Sequence, residues 1–230
     1  MTSPQSFGSL LEKIPIAPWG RKELNLFGWP LVLSIIVLIL LDDPWCWLAI
    51  VPAVLLGWLV SFFRDPPRRI PDVPWAVVAP ADGKVIEVTL LDNYEFIGGP
   101  AVRIGIFLSI FNVHINRAPL AGRVVDTHYR PGEFLNAMRP ESAERNEFMW
   151  IGFERTEGPP LRFAVRQISG MLARRIVCVL QPGQTVTRGE KFGMIKLGSR
   201  TELILPADAE VIVQPGDVVR AGTDIVARWA

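Results

Sequence analysis

Three residues far apart in the chain could together carry out acyl chemistry. Ser199 follows Gly198 in the run KLGSR at 196–200, His114 lies in LSIFNVHINRAP, and Asp82 lies in PADGKV. A serine hydroxyl is a weak nucleophile at its ordinary pKa and needs an adjacent base. Histidine accepts a proton near neutral pH, and a carboxylate can hold its ring in one tautomer. The types of these three residues would permit such chemistry, but residue type alone does not assign a role to any of them.

Each of these signals is weak when taken alone. A Gly-Ser pair is usually a polar turn, and Asp-Gly at 82–83 is a preferred turn pair. A single histidine on an apolar run is usually a hydrogen-bonded structural residue. The second histidine, His128 in DTHYRPG, has no carboxylate or nucleophile motif beside it, and we interpret it as structural. The sequence around these residues must therefore decide whether they are functional or structural.

The composition narrows the classes of partner and cofactor. The sequence contains no Gly-rich dinucleotide loop, no P-loop and no cluster with metal-ligand spacing, so we predict no metal and no separately bound cofactor. Cys46 and Cys178 are predicted to be buried, reduced thiols. The net charge of +1 gives no reason to expect nucleic acid as a partner.

Two apolar runs, 28–41 and 45–63, predict an N-terminal membrane hairpin of α-helices within residues 1–63. Asp42-Asp43-Pro44 forms the turn between them. Basic residues flank the pair on both outer sides, and the turn has none, so the positive-inside rule places both ends in the cytoplasm. The first run is short, which leaves open a shallow hairpin that enters one leaflet. The flanking basic residues are Lys13, Arg21, Lys22, Arg64, Arg68 and Arg69.

Residues 64–230 predict a mostly β domain. Short β-branched runs such as GKVIEVTLL, AVRIGIFLS and TELILP alternate with Gly, Pro and Asp, which is typical of a β barrel or sandwich. The segment 181–189 (QPGQTVTRG) returns as 214–222 (QPGDVVRAG), and 80–86 (PADGKVI) returns as 206–212 (PADAEVI). This pattern resembles the hammerhead halves of lipoyl-like domains. Around 133–145 we expect a loop with one helical turn.

Five motifs in order resemble the phosphatidylserine decarboxylase family, in its short bacterial and archaeal form. They are FFRDPPR at 62–68, APADGKV at 79–85, LSIFNVHINRAP at 108–119, RPGEFLNA at 130–137 and GMIKLGSR at 193–200. The short form carries Gly-Ser-Arg at the cleavage site, as here in Gly198-Ser199-Arg200. Asn116-Arg117 stands where longer members place a second histidine, so only a mechanism that needs His114 alone is expected.

The resemblance implies self-cleavage at Gly198-Ser199 and a covalent pyruvoyl cofactor made from Ser199. The products would be a large chain, 1–198, and a small chain, 199–230, which together form a heterodimer. The pyruvoyl group would form a Schiff base with the serine headgroup of phosphatidylserine, release CO2 and yield phosphatidylethanolamine. His114 is expected to act as base and later as acid, with Asp82 holding its ring. The phospholipid and the inner face of the cell membrane are the expected partner and location.

Two alternatives remain at this stage. The substrate could be archaetidylserine or another lipid with a serine headgroup, since the difference lies outside the headgroup. A membrane-anchored, non-enzymatic binding module with a lipoyl-like domain would explain the hairpin and the repeat, but it leaves His114 and the Gly-Ser pair without a role. A homo-oligomer is compatible with the sequence, which carries no signal for or against one.

Overall fold

A computed structural model describes residues 15–41, 45–171, 175–196 and 198–229. The predicted turn at 42–44 and the basic residue Lys13 lie outside these ranges. The chain divides into two compact units, Met1–Pro67 and Arg68–Ala230.

The first unit contains the predicted pair of apolar helices. A 3-10 turn, Pro18–Gly20, leads into α1 (Arg21–Ile39), and a second 3-10 segment, Trp45–Ala49, leads into α2 (Ile50–Phe62). The first helix therefore begins before the apolar run that predicted it. At 1.5 Å per residue in α-helix and about 2 Å in 3-10 helix, each arm is roughly 30 Å long. Both arms are long and apolar enough to cross a membrane, by length and composition.

The two arms pack against each other and close at their base. A side-chain carbon added at Gly28 would lie 3.7 Å from Leu56 Cδ1, so the helices contact where the first has no side chain. At the base, the Ala17 amide donates to the Phe63 carbonyl (2.8 Å). The start and the end of the hairpin therefore lie side by side. Large apolar side chains remain exposed along both arms, including Leu33, Ile39, Leu40, Trp47, Ile50 and Val54.

The second unit is built from antiparallel strands, which confirms the predicted fold class. The strands are β1 (Ala76–Val78), β2 (Gly83–Tyr94), β3 (Gly99–Leu108), β4 (Ile115–Arg117), β5 (Gly122–Arg130), β6 (Phe148–Arg155), β7 (Arg162–Ile168), β8 (Arg175–Cys178), β9 (Thr185–Val186), β10 (Lys191–Lys196), β11 (Ser199–Pro206), β12 (Glu210–Val211), β13 (Val218–Val219) and β14 (Ile225–Arg228). They form an eight-stranded sheet in the order β13-β2-β3-β11-β7-β6-β5-β9, and two three-stranded sheets, β1-β14-β12 and β4-β10-β8.

The two long strands β5 and β6 have no counterpart among the predicted β-branched runs, and neither do the short strands β4, β9 and β13. In β5 most side chains are exposed, so its sequence looks like a polar loop. The strand forms because its backbone pairs with β6 along its whole length. The expected helical turn is the short α3 (Ser142–Arg145).

The repeat at 181–189 and 214–222 corresponds to a real structural repeat. Each turn exchanges two backbone hydrogen bonds, all of 2.8 Å, with one strand residue: the first turn with Val124 and the second with Val85. The strands that follow the turns, β9 and β13, are the two edges of the eight-stranded sheet. The repeat therefore closes both edges of that sheet in the same way.

The segment 80–86 has a second counterpart, 119–125, which the comparison with 206–212 did not reveal. Both segments lead into strands of the large sheet that pair with a repeat turn, β2 and β5. Two reciprocal backbone hydrogen bonds of 3.0 Å connect the starts of the segments: the Arg117 amide donates to the Pro80 carbonyl, and the Val78 amide donates to the Pro119 carbonyl. The two halves of the repeat thus meet directly beside β4.

A group of buried charges fixes the position of β11. Glu202 is fully buried and pairs with Arg200 (2.7 Å) and Arg166 (2.8 Å), while Arg200 also pairs with Glu87. Burial opposes the ionisation of Glu87, but hydrogen bonds from Arg200 and Arg103 prevail and lower its pKa to about 2. These charges tie β11 to β2, β3 and β7, and breaking a buried pair is strongly destabilising.

The lowered pKa of Glu87 predicts that the stability of the fold decreases in acid. Its folded-state pKa of about 2 lies below the ordinary value of 4.5. Folding therefore favours the ionised form, so the stabilisation is complete above the ordinary pKa and is lost as the pH falls through the folded-state value. At neutral pH we expect Glu87→Gln to have a lower melting temperature than its parent protein, measured by tryptophan fluorescence in detergent. Between pH 4.5 and about pH 2, the melting temperature of Glu87→Gln should fall less than that of the parent.

The comparison is made in the Ser199→Ala background, so that the chain stays in one piece. Glu133→Gln is the matched control, because the Glu133–Arg145 pair is exposed. Its melting profile should follow that of the parent protein. Parallel acid profiles for Glu87→Gln and its parent would contradict the assigned role of Glu87.

Candidate active site

The chain changes sheets just before Ser199. Strand β10 belongs to the β4-β10-β8 sheet and ends at Lys196, whereas β11 belongs to the large sheet and begins at Ser199. Gly198 has a φ of 58°. This left-handed conformation favours glycine, because any other L-residue would bring its Cβ close to the backbone. The Gly198–Ser199 peptide bond therefore lies at the junction of two sheets.

Ser199 is fully buried at this junction. It pairs with Leu108 at the end of β3, as the first residue of β11. Its hydroxyl oxygen is buried and has no hydrogen-bond partner within the described part of the chain. Buried polar groups are nearly always paired, and an exception needs an explanation. A hydroxyl that is kept unpaired beside a glycine carbonyl is a candidate nucleophile.

The backbone of His114 is connected to the same junction in two ways. Its carbonyl accepts a hydrogen bond from the Ile195 amide (3.3 Å), four residues before Ser199. In the other direction, the loop 109–113 joins it to Leu108, the pairing partner of Ser199. The histidine is fully buried. The fold thus brings the backbone segments that carry His114 and Ser199 to the same junction, from positions 85 residues apart in the sequence, 199 − 114.

The tautomer of His114 follows from its contact with Asn112. The ring Nδ1 lies 2.9 Å from the Asn112 carbonyl oxygen. A carbonyl can only accept, so Nδ1 carries the proton in the neutral ring and Nε2 is the basic nitrogen. The Asn112 side chain holds the loop in shape by accepting from the amide and hydroxyl of Ser109 (2.9 and 2.8 Å). Asn112 is a positioning residue that the sequence interpretation did not single out.

Asp82 does not orient His114 as the sequence interpretation expected. Its carboxylate accepts from the Arg68 guanidinium (2.7 Å) and the Ala221 amide (2.8 Å). The contact with His114 Nδ1 is made by the Asn112 carbonyl instead. The Asp82 side chain instead joins the 80–86 turn to the second repeat turn.

Gly170 lies directly against the carbonyl of Gly198. A Cβ added at Gly170 would lie 2.1 Å from the Gly198 oxygen and 3.2 Å from the Ala137 Cβ. No side chain fits in that space unless the carbonyl moves. Gly170 was not predicted from the sequence, since a lone glycine after Ser169 has no distinctive neighbours.

A buried amide network joins the strands around the site. The Asn116 side chain donates to Thr201 Oγ1 (2.9 Å) and to the Pro80 carbonyl (3.3 Å), and accepts from Gln167 (2.8 Å). These contacts connect β4, β11 and β7 with the 80–86 turn. Asn116, at a position where longer relatives were expected to differ, therefore holds the two sheets together.

The remaining residues singled out in the sequence lie elsewhere or are less buried than expected. His128 is exposed on β5, three strands from β11 in the large sheet, which is roughly 14 Å at the usual strand spacing. Cys46 and Cys178 are half-buried rather than buried. Burial raises the pKa of the Cys178 thiol, which disfavours the reactive thiolate.

Comparison with known proteins shows which family this chain resembles. The family model described as phosphatidylserine decarboxylase matches residues 55–227. A phosphatidylserine decarboxylase proenzyme of Rhodopirellula baltica is 46% identical over 221 residues, which cover 95% of this chain and 90% of that protein. The proenzyme of Symbiobacterium thermophilum is 44% identical over 202 residues, which cover 87% and 93%.

The match can extend over the whole chain. A phosphatidylserine decarboxylase proenzyme of Chlorobium limicola is 39% identical over 229 residues, which cover all of both chains. That alignment therefore includes the segment of the two apolar helices. The identities and the coverage are high enough to assign the family: this chain belongs to the phosphatidylserine decarboxylases and is a decarboxylase.

Proposed function

We propose that this decarboxylase removes CO2 from phosphatidylserine with a pyruvoyl group that it makes from its own Ser199. The observation that carries the proposal is the buried, unpaired Ser199 hydroxyl next to the left-handed Gly198 at the junction of two sheets. The relatives bear the name proenzyme, which denotes a precursor that is processed.

Processing begins when the Ser199 hydroxyl attacks the Gly198 carbonyl carbon. His114 Nε2 takes the hydroxyl proton, the new C–O bond forms, and the proton passes to the amide nitrogen as the C–N bond breaks. The product is an ester between Gly198 and the Ser199 side chain, with a free amine on Ser199. The Nδ1 contact with Asn112 supports this step, because it leaves Nε2 as the basic nitrogen.

A second step releases the large chain. A base removes the α-proton of Ser199, the Gly198 carboxylate leaves from the Cβ, and a dehydroalanine remains on the small chain. This enamine tautomerises to an imine, and addition of one water to the imine gives the pyruvoyl group and ammonia. Residues 1–198 and 199–230 are then separate chains.

The fold supports retention of the small chain after cleavage. Strand β11 is paired on both sides, with β3 and with β7. Its buried charges, Arg200 and Glu202, form ion pairs with three residues of the large chain, which are Glu87, Arg103 and Arg166. The pyruvoyl group would be at the first position of this strand, held by its pairing with Leu108 and by the Arg200–Glu87 ion pair. A heterodimer of the two chains is the expected mature form.

The pyruvoyl ketone supplies an electrophile for the substrate amine and an electron sink for the pair left behind when CO2 departs. The protein's own residues must then orient the headgroup and return a proton to the carbon. His114 is the proposed donor, because it is buried at the site and imidazole ionises near neutral pH.

Asp82 is proposed to act on this site from a distance, as a positioning residue. Its two hydrogen bonds hold the 80–86 turn, whose Pro80 carbonyl accepts from the Asn116 side chain and from the Arg117 amide. Both acceptor contacts fix β4, which directly follows His114. Loss of the Asp82 charge should therefore loosen the histidine through β4.

The proposed location is the cytoplasmic face of the cell membrane, with the helical hairpin as anchor. The closed base of the hairpin supports this topology, because it keeps the two ends of the described hairpin, Ala17 and Phe63, on one side. Arg21, Lys22 and Arg64 lie at that base, as the positive-inside rule requires of a cytoplasmic side. A hairpin seated in one leaflet would present the same base.

Removing the nucleophile tests the cleavage site. Ser199→Ala should remain a single chain without decarboxylase activity, because no hydroxyl is left to attack Gly198, and intact-mass measurement decides this directly. Ser169→Ala is the matched control, since Ser169 is the other serine whose buried hydroxyl lacks a partner in the described ranges. It should be cleaved like the parent. A Ser199→Ala protein that still splits at the 198–199 bond would contradict the assignment of Ser199 as the nucleophile.

Crowding the scissile carbonyl tests the geometry. Gly170→Ala should slow formation of the small chain about 100-fold, because a displacement of about 1 Å at a reacting centre has an effect of that order. The rate is measured by gel electrophoresis after synthesis in a cell-free system. Gly99→Ala is the control, since a Cβ there meets nothing within 4 Å. Equal cleavage rates for the two variants would show that Gly170 does not position the carbonyl.

Removing the base tests the role of His114. His114→Ala should slow cleavage between 100-fold and 10,000-fold, roughly the contribution of a positioned general base. His128→Ala is the control, because that ring is exposed and distant from β11, and it should mature normally. Circular dichroism verifies that both variants fold. Maturation of folded His114→Ala at the parental rate would mean that another group is the base.

A further inference from the structure

Three loops meet near the Gly198–Ser199 bond, two of them with a residue close to Gly198 and the third with a residue close to Gly170. Ile110 lies 4.0 Å from the position of a Cβ on Gly198. Gly170 lies against the Gly198 carbonyl, and Ala137 lies 3.2 Å from the position of a Cβ on Gly170. The loops 109–113, 131–141 and the segment after β7 therefore meet at the scissile bond.

The next residue in each loop is large, apolar and exposed. Phe111 follows Ile110 and is 69% exposed, Met138 follows Ala137 and is 57% exposed, and Met171 follows Gly170 and is 63% exposed. We call these three residues the apolar rim. Among described residues of the second unit, the exposed Phe and Met side chains are these three and Phe134, which lies in the same 131–141 loop.

We propose that the apolar rim inserts into the lipid bilayer around the active site, independently of the helical hairpin. The inference rests on the proposed function, in which the substrate is a lipid whose acyl chains remain in the bilayer. Ser199 is fully buried beneath the loops, so the headgroup must pass the rim while its acyl chains trail behind. The apolar side chains of the rim would keep the acyl chains in an apolar environment up to the site, whereas polar side chains there would not.

The charge beside the rim fits an anionic lipid surface. Arg139 follows Met138, is exposed, and has no ion pair with any residue that the structure describes. A long cationic side chain next to an inserted apolar residue can reach lipid phosphates while its stem stays in the apolar layer. Phosphatidylserine carries a net negative charge, so the proposed substrate itself would enrich such a surface.

The first test measures insertion and does not depend on cleavage or catalysis. In full-length Ser199→Ala with Cys46 and Cys178 replaced by serine, a single cysteine at Phe111 or Met138 carries an environment-sensitive fluorophore. On vesicles containing phosphatidylserine, the emission should shift to the blue and be quenched by lipids brominated on their acyl chains. Leu90→Cys, at an exposed apolar position far along β2, is the control and should show neither effect. Rim labels that behave like the Leu90 label would overturn the proposal.

The second test separates a bilayer contact from a role in shaping the site. The triple variant Phe111→Ser, Met138→Ser, Met171→Ser is compared with Leu90→Ser, Ile212→Ser, Val218→Ser, which removes exposed apolar side chains elsewhere. After maturation, the rim variant should lose about 10-fold or more of its activity on phosphatidylserine in vesicles and keep its activity on a short-chain, dispersed analogue.

Each outcome of this assay has one meaning. An equal loss on both substrates would assign the rim to the site itself, and an unchanged activity on vesicles would show that it has no role at the bilayer; either result overturns the proposal. Failure of the proposed function would appear differently, as absence of cleavage or activity in the parent protein, while the fluorescence result would still stand.

Discussion

The change of sheet at Gly198 is the constraint on which the rest of this structure depends. The chain must leave β10, turn through a left-handed glycine and enter β11 in another sheet. A peptide bond in the middle of a sheet has both its polar groups engaged in the ladder and its flanking side chains fixed on opposite faces. The Gly198–Ser199 bond lies at the start of β11 instead, with its carbonyl against Gly170 and the Ser199 hydroxyl buried without a hydrogen-bond partner among the described residues.

The surrounding features serve to keep that junction in place. The buried amide network of Asn116 joins the two sheets on one side, and the charges of Arg200 and Glu202 fix β11 on the other. Buried charges are costly to desolvate, and a hydrophobic strand would be at least as stable. Under the proposed cleavage at Gly198, these ion pairs would persist after the backbone beside them is cut and would keep the new chain end in register.

Several elements of the fold could be predicted from the sequence, because they depend on local side-chain chemistry. The strand runs, the apolar hairpin and the repeated QPG turns follow from side-chain pattern and turn preferences, which are short-range. His114 and Ser199 could be singled out by type and motif. The polar strand β5 could not, because its backbone pairing with β6 determines its structure and its side chains do not reveal that pairing.

The contacts that position the reacting groups were less predictable. The Asn112 carbonyl, which holds His114, is a backbone atom and is present at every residue. Gly170 matters because of what lies against it, 28 residues away in the sequence, 198 − 170. Asp82 illustrates the converse, since a plausible motif suggested a triad, whereas the tertiary fold directs its carboxylate to Arg68 and Ala221.

The intact mass of the purified wild-type protein, with fragmentation of its small chain, tests the central claim most directly. Two chains should be found, 1–198 ending in an unmodified Gly198, and 199–230 beginning with a pyruvoyl group in place of Ser199. The small chain should therefore resist stepwise degradation from its N-terminus until the carbonyl is reductively aminated. An active enzyme that remains one chain of 230 residues, or a small chain that begins with an intact serine amine, would contradict the account.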